Sequence, residues 1–240
     1  MDNPGYVTLS RQSGLLQRMN AIANNIANLS TDGFRRESMV FAEVVDALTV
    51  EGGSLSQSAA RVRRTDFSQG ALRQTGGTFD LAIEGDGFFL VEDGDAPALT
   101  RAGSFSRNEV GELVTASGRR VLDIGQAPIQ IAPEVASLSI GTDGTVSADG
   151  VPVAQLAVVS VEDNARMTRK ETGLLTTDQP LIPAENAAVF QGFVEKSNVN
   201  PVLEMTDMIK VQRAYEMGQA FLEAEDERMR QFIRITGTPS

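Results

Sequence analysis

Asn20, Asn24 and Asn28 recur every four residues near the start of the chain, and Asn25 lies beside them. The chemistry they offer is hydrogen bonding rather than bond-making, since each side-chain amide carries donors and an acceptor. Wound as a helix at about 100° per residue, the three stack on one face. Leu15, Met19, Ile22, Ile26 and Leu29 fall within an arc of roughly 80° on the face nearly opposite. Asn is a mediocre helix former that favours caps and turns. Three on one helical face are a poor way to solvate it and a sensible way to present amides to a neighbouring chain or strand.

Residues for covalent chemistry are scarce. The 240-residue chain contains no His and no Cys. The commonest general base is therefore missing, zinc sites of the common kind cannot be built, and no disulfide can form. Carboxylates remain, but no pair is visibly framed for acid–base work. Glu92-Asp93-Gly94-Asp95 lacks the spacing of a calcium loop and reads as a turn. Glu223, Glu225, Asp226 and Glu227 read as a solvated helix face, and Arg61, Arg63 and Arg64 as a solvated segment. No enzymatic activity, cofactor, metal or small-molecule substrate is expected. A net charge of −11 argues against nucleic acid as a partner.

Two elements must position the asparagines and whatever they meet. The first is the N-terminal helix, whose pattern runs to a stop at Thr31-Asp32-Gly33, where Gly33 can take the left-handed conformation. The second is a C-terminal helix over about 32 residues, about 48 Å long. On it Met208, Val211, Tyr215, Leu222, Met229 and Ile233 share an arc of roughly 60°, and Gly218 sits mid-stripe where another backbone can approach closely. Each is expected to pack on the other in a coiled-coil-like pair or on neighbouring subunits.

The region between reads differently. Glycine turns such as Gly85-Asp86-Gly87, Ser117-Gly118, Asp143-Gly144 and Asp149-Gly150 punctuate short apolar runs. That rhythm predicts a compact, mainly antiparallel β domain. Phe88–Val91 with Ala98–Ala102, and Leu113–Thr115 with Arg120–Leu122, read as hairpins, and Leu156–Val161 as a buried strand. The expected class is α+β. Residues 1–35 and 197–240 form a terminal helical domain with a coiled-coil-like core, 36–75 an extended linker region and 76–196 the central β domain. Loop signals in the linker fall at Glu51-Gly52-Gly53-Ser54 and Ser56-Gln57-Ser58. The N-terminus lacks the pattern of a cleaved signal peptide, and no run approaches the length of a membrane span.

Three separate segments together resemble one family. Asn24-Asn25-Ile26-Ala27-Asn28-x-x-Thr31-x-Gly33-Phe34-Arg35 resembles the N-terminal signature of the bacterial flagellar rod and hook proteins. Glu195-x-Ser197-Asn198-Val199-Asn200, with Glu204-Met205, Met208-Ile209 and Gln212-Arg213-Ala214-Tyr215-Glu216, resembles their C-terminal signature. Gly85-Asp86-Gly87-Phe88-Phe89, Thr100–Phe105 and Asn108-x-x-Gly111-x-Leu113-Val114 look like their shared β domain. Tyr6-Val7-x-Leu9-Ser10-Arg11-Gln12 and Asn200–Met205 look more like the proximal rod type than the distal one, which is the alternative within the family.

The resemblance implies a structural subunit of the basal-body rod. It would be exported through the flagellar type III apparatus without a cleaved signal peptide and assemble in the periplasm with other copies of itself and other rod proteins. The product would be a hollow shaft that passes torque from motor to hook. A secreted β-rich binding module is the other reading, and it leaves both end helices unexplained. Under the favoured reading the subunit interface would use Asn20, Ile22, Asn24, Asn25, Ile26, Asn28, Met208, Val211, Tyr215, Gly218 and Leu222.

Overall fold

The computed structural model describes residues 3–46, 55–94, 96–170 and 173–236. The loop expected at Glu51-Gly52-Gly53-Ser54, and Asp95 of the expected turn, lie outside the described residues. The chain divides into two compact units: residues 1–27, 37–66 and 200–240 form one, and residues 28–36 and 67–199 the other. The class is α+β, with one helix near each end and a central, mostly antiparallel β region.

The first unit holds helix α1 (Asn3–Ala27), strands β1 (Glu37–Asp46) and β2 (Leu55–Thr65), and helix α2 (Pro201–Thr236). α1 ends at Ala27, earlier than the apolar pattern suggests, and Thr31 N–H closes a turn onto Asn28 O at 3.2 Å. α2 starts on a strong cap: Asn200 Oδ1 accepts from the N–H of Val202 at 3.0 Å and of Leu203 at 3.2 Å. Pro201 at the first helical position wastes no N–H. The 36 residues of α2 span about 54 Å.

Residues 36–75, expected as an extended linker, contain the antiparallel pair β1–β2, in register from Glu37↔Thr65 to Asp46↔Leu55 with a bulge between Ala42 and Val44. Ser56, Gln57 and Ser58 belong to β2 rather than to a loop. Both strands lie against α1.

In the second unit a six-stranded antiparallel sheet runs in the order Thr168–Arg169, Leu175–Thr176, Ala96–Thr100, Phe88–Asp93, Val158–Ser160, Ile182–Pro183. Successive side chains of a strand point to opposite faces. Phe89 and Val91 accordingly join the larger core with Leu81, Ile83, Leu113 and Leu156. Phe88 and Leu90 join a second core with Leu99, Leu122 and Met167. Burial on both sides is why Phe88-Phe89-Leu90-Val91 reads as a continuous apolar run.

The hairpin expected from Phe88–Val91 with Ala98–Ala102 is present, pairing Leu90 with Leu99. Leu113–Thr115 pairs with Phe105–Arg107 on one side, and on the other it meets the chain returning over Ser117-Gly118 as expected, with an antiparallel bridge Val114↔Arg120 and Val121 N–H on Leu113 O at 2.8 Å. The buried strand expected at Leu156–Val161 is shorter: only Val158–Ser160 is strand, with Leu156 and Ala157 buried just before it.

Candidate functional site

Within the first unit α1 and α2 pack antiparallel. Asn25 meets Glu204, Arg18 meets Asp207 at 3.9 Å, and Gln12 meets Tyr215. On α2 the residues facing α1 step four and three apart: Glu204, Met208, Val211, Tyr215, Gly218 and Leu222. Glu204 and Val211 are buried, and the other four are half-buried. Gly218 matters because a Cβ there would lie 2.6 Å from Gln12 Nε2. Its neighbour is thus a side chain, whose amide also donates to Tyr215 O at 3.2 Å, and not the close backbone expected from the sequence.

Asn25 is fully buried and makes three hydrogen bonds within the chain. Its Nδ2 donates to Glu37 O at 2.8 Å and to Glu204 Oε2 at 3.1 Å, while its Oδ1 accepts from Glu37 N–H at 2.9 Å. The amide mimics one rung of a sheet at the edge of β1 and ties that strand to both helices. Asn25 and Ile22, expected at a subunit interface, are therefore used inside the chain, as is Val211. Asn20 and Asn24 face outward. Ile26 is half-buried, and Asn28 is half-buried in a turn where its Oδ1 accepts from Thr31 Oγ1 at 3.1 Å.

A second polar cluster lies at the heart of the other unit. Glu195 is fully buried, and its Oε1 accepts from Arg35 Nη1 and from Gly70 N–H, the latter at 2.7 Å. Its Oε2 accepts from Arg101 Nη1 at 3.2 Å. Arg101 also donates to Ile83 O and Gly85 O and lies over the Phe88 ring. Burial pulls its pKa down to about 10, against the opposing attraction of Glu195. Arg169 covers the Phe34 ring and donates to Arg35 O at 2.9 Å. Gly33 N–H reaches Glu195 O, and Gly33 has φ +72. A Cβ there would sit 2.2 Å from Ala102 N, so the position admits only glycine. Next along, Asn198 Oδ1 accepts from Arg36 N–H at 2.7 Å and its Nδ2 donates to Ser68 O at 2.9 Å. Two short segments far apart in sequence are thereby sewn together through one carboxylate.

The local sequence assigns no role to Gln12, Arg35, Glu37, Arg101, Glu195 or Glu204. One signal was available: Gln12 and Asn25 flank the apolar arc of α1, where an amide must find a partner. Among the described residues no group of three or more His, Cys, Asp or Glu side chains is placed to hold a metal. No described helix is long and apolar enough to cross a membrane.

The segments carrying these clusters coincide with known family patterns. Residues 6–35 match the flagella basal body rod protein pattern, residues 82–148 the flagellar hook protein FlgE/F/G D1 domain, and residues 191–235 the flagellar basal body rod FlgEFG protein C-terminal pattern. Flagellar basal-body rod protein FlgF of Caulobacter vibrioides is 37% identical over 99% of this chain and 99% of its own length. The chain belongs to the flagellar basal-body rod protein family. FlgF of Mesorhizobium japonicum is 36% identical over the full length of both chains, and FlgG of Bacillus subtilis 31% identical over 96% of this chain and 97% of its own. The N-terminal match spans Asn25 and Arg35 of this chain, and the C-terminal match spans Glu195 and Glu204. All four are buried in the two clusters.

Proposed function

We propose that this chain is a structural subunit of the flagellar basal-body rod, of the FlgF type, built to polymerise through its helical unit. The observation that carries the reading is end-to-end similarity to FlgF proteins, at 36–37% identity over essentially the whole chain. The seam between α1 and α2 is coiled-coil-like in spacing and supplies a stiff element whose outer faces stay available to neighbours. Asn20 and Asn24 suit such a face, since an exposed amide costs little in water while an exposed leucine ladder invites premature association.

Subunits of this kind contact other copies of the chain and other rod proteins, using exposed Asn20 and Asn24 together with the margins of the stripe at Met208, Tyr215, Gly218 and Leu222. Export occurs through the flagellar type III apparatus, and assembly occurs in the periplasm. The assembled shaft is hollow and carries torque from motor to hook. Heterologous contacts that do not close on themselves are the physical requirement for such a tube. The role calls for no catalytic step, and a chain free of His and Cys is suited to it. Negative staining of basal bodies from cells lacking the gene tests the reading. Rods missing or truncated, and restored by the gene in trans, are expected. Complete rods in the deletion strain would refute it.

A further inference from the structure

The lysines of the chain are Lys170, Lys196 and Lys210, and two of them are answered from within it. Lys170 Nζ lies 2.6 Å from Asp93 Oδ2, and Lys210 Nζ lies 3.5 Å from Asp207 Oδ1. Lys196 is exposed and, among the described residues, has no carboxylate within ion-pair distance.

Its place is a cleft of about 250 Å³ in the β unit, lined by Leu29, Ser30, Asp32, Arg73, Lys196 and Ser197. One wall is the antiparallel pair of Leu72–Gln74 with Phe193–Glu195. Glu195 is buried in the unit, so the next residue, Lys196, turns to the other side, where Arg73 also lines the cleft. The facing wall is the turn through Leu29 and Asp32. Both walls are fixed. Lys196 N–H donates to Ala71 O at 2.9 Å, and a Cβ at Gly70 would lie 2.0 Å from Lys196 O. Thr31 N–H closes the turn onto Asn28 O, and Gly33 N–H holds it to Glu195 O at 2.6 Å.

Two cations share this cleft with one acid. Arg73 Nη2 lies 3.5 Å from Asp32 Oδ2. A guanidinium carries five donors, so that contact leaves most of them for another acceptor. Ser30 and Ser197 bring hydroxyls, and Leu29 brings an apolar wall. The result is a local positive excess on a chain whose net charge is −11. The overall field repels long polyanions, while a single carboxylate is drawn to the local excess.

We infer that this cleft docks an acidic peptide segment of a neighbouring protein, with a glutamate carboxylate between Lys196 and Arg73 and its methylenes against Leu29. Charge complementarity and the apolar wall select this occupant. Inorganic phosphate would match the cations and leave Leu29 unused. Because the walls are already held, little order is lost on docking. The surface lies in the β unit, and the inference goes beyond the rod reading without depending on it.

With so few lysines, each is followed separately in the full-length chain. Lysine side chains labelled with carbon-13 are titrated with hexaglutamate, with hexaglutamine and with inorganic phosphate. Hexaglutamate is expected to shift the Lys196 signal to saturation and leave Lys170 and Lys210 in place; hexaglutamine is expected to shift none. Arg73→Gln should weaken the binding about fivefold, the size of one exposed charge pair, and Arg166→Gln, with the same change in net charge, should leave it unaltered. No shift, an equal shift at all three lysines, or phosphate acting as strongly as the peptide at equal charge overturns the inference. In isolated basal bodies, a zero-length carbodiimide cross-link from Lys196 to an Asp or Glu of another chain is expected. Coupling only to Asp32 of the same chain, or none, overturns it and leaves the rod reading intact. Basal bodies that lack this protein refute the rod reading instead, and the peptide titration then decides the cleft.

Discussion

Replacing Glu195 by glutamine changes one atom type in a fully buried carboxylate and should loosen the whole β unit. Oε1 accepts from Arg35 and from Gly70 N–H, and Oε2 accepts from Arg101. A glutamine NH₂ on either side would face a donor, so one set of bonds becomes a donor–donor clash. Two guanidiniums are then buried beside a neutral group. Removing one member of a buried ion pair costs about 3–5 kcal/mol. The Arg101 bonds to Ile83 O and Gly85 O and the Arg35 bond to Ser68 O survive and keep the loss within that range. For a domain of this size each kcal/mol shifts the midpoint by about 2–4 °C, so a fall of roughly 6–20 °C is expected. The assay is urea unfolding together with hydrogen exchange of the strand amides of Phe88–Asp93. The cycle completed by Arg35→Met alone and by Arg35→Met with Glu195→Gln should show the two substitutions strongly non-additive. A loss under about 1 kcal/mol, or simple additivity, would mean that Glu195 does not hold these arginines.

Asn25→Leu should destabilise the helical unit by roughly 1–3 kcal/mol, because the Glu37 backbone groups lose a buried partner, and Asn25→Asp should cost more, since it removes the donor beside Glu204. Circular dichroism melting of the helical signal checks both. Gly33→Ala should exceed the roughly 1–2 kcal/mol of a left-handed alanine, because its Cβ would strike the Ala102 and Arg101 backbone; equality with that figure in urea melts would show the loop can give way. Asp143 and Asp149 are held below the ordinary aspartate value, first by backbone N–H donors at Thr145 and Ser137 respectively. A lowered folded-state value means stability that is present above the ordinary value and lost as pH falls through the folded one. Asp143→Asn should therefore flatten the acid limb of stability below about pH 4, and carboxyl NMR titration should place both midpoints below 3.8.

Much of this architecture is legible in the residues, and the omissions have physical reasons. Both helices announce themselves through apolar stripes at helical spacing, and glycine turns announce the β region. The β1–β2 pair hides because Ser56, Gln57 and Ser58 carry no apolar alternation; its order comes from pairing and from α1 beneath it. The end of α1 is misjudged because Leu29 continues the stripe while Asn28 and Thr31 already form a turn. The asparagine ladder drew attention to Asn20, Asn24 and Asn28, but the amide with the most bonds is Asn25, on the flank of the apolar arc. The Glu195 cluster escapes any local reading, since its arginines lie 160 and 94 residues away in sequence.

Those separations set a timetable. Arg35 and Arg101 cannot find their carboxylate until the chain has emerged past residue 195, about four-fifths of the way along. Until then the segments that hold most of the apolar core carry two arginines lacking their counter-charge. Closing a loop that long costs only modestly more than a short one, but it makes closure slow. A chain delivered amino end first would therefore lack this part of its stabilisation for most of its passage. Its β unit would reach full stability late, once its far end supplied the missing acid.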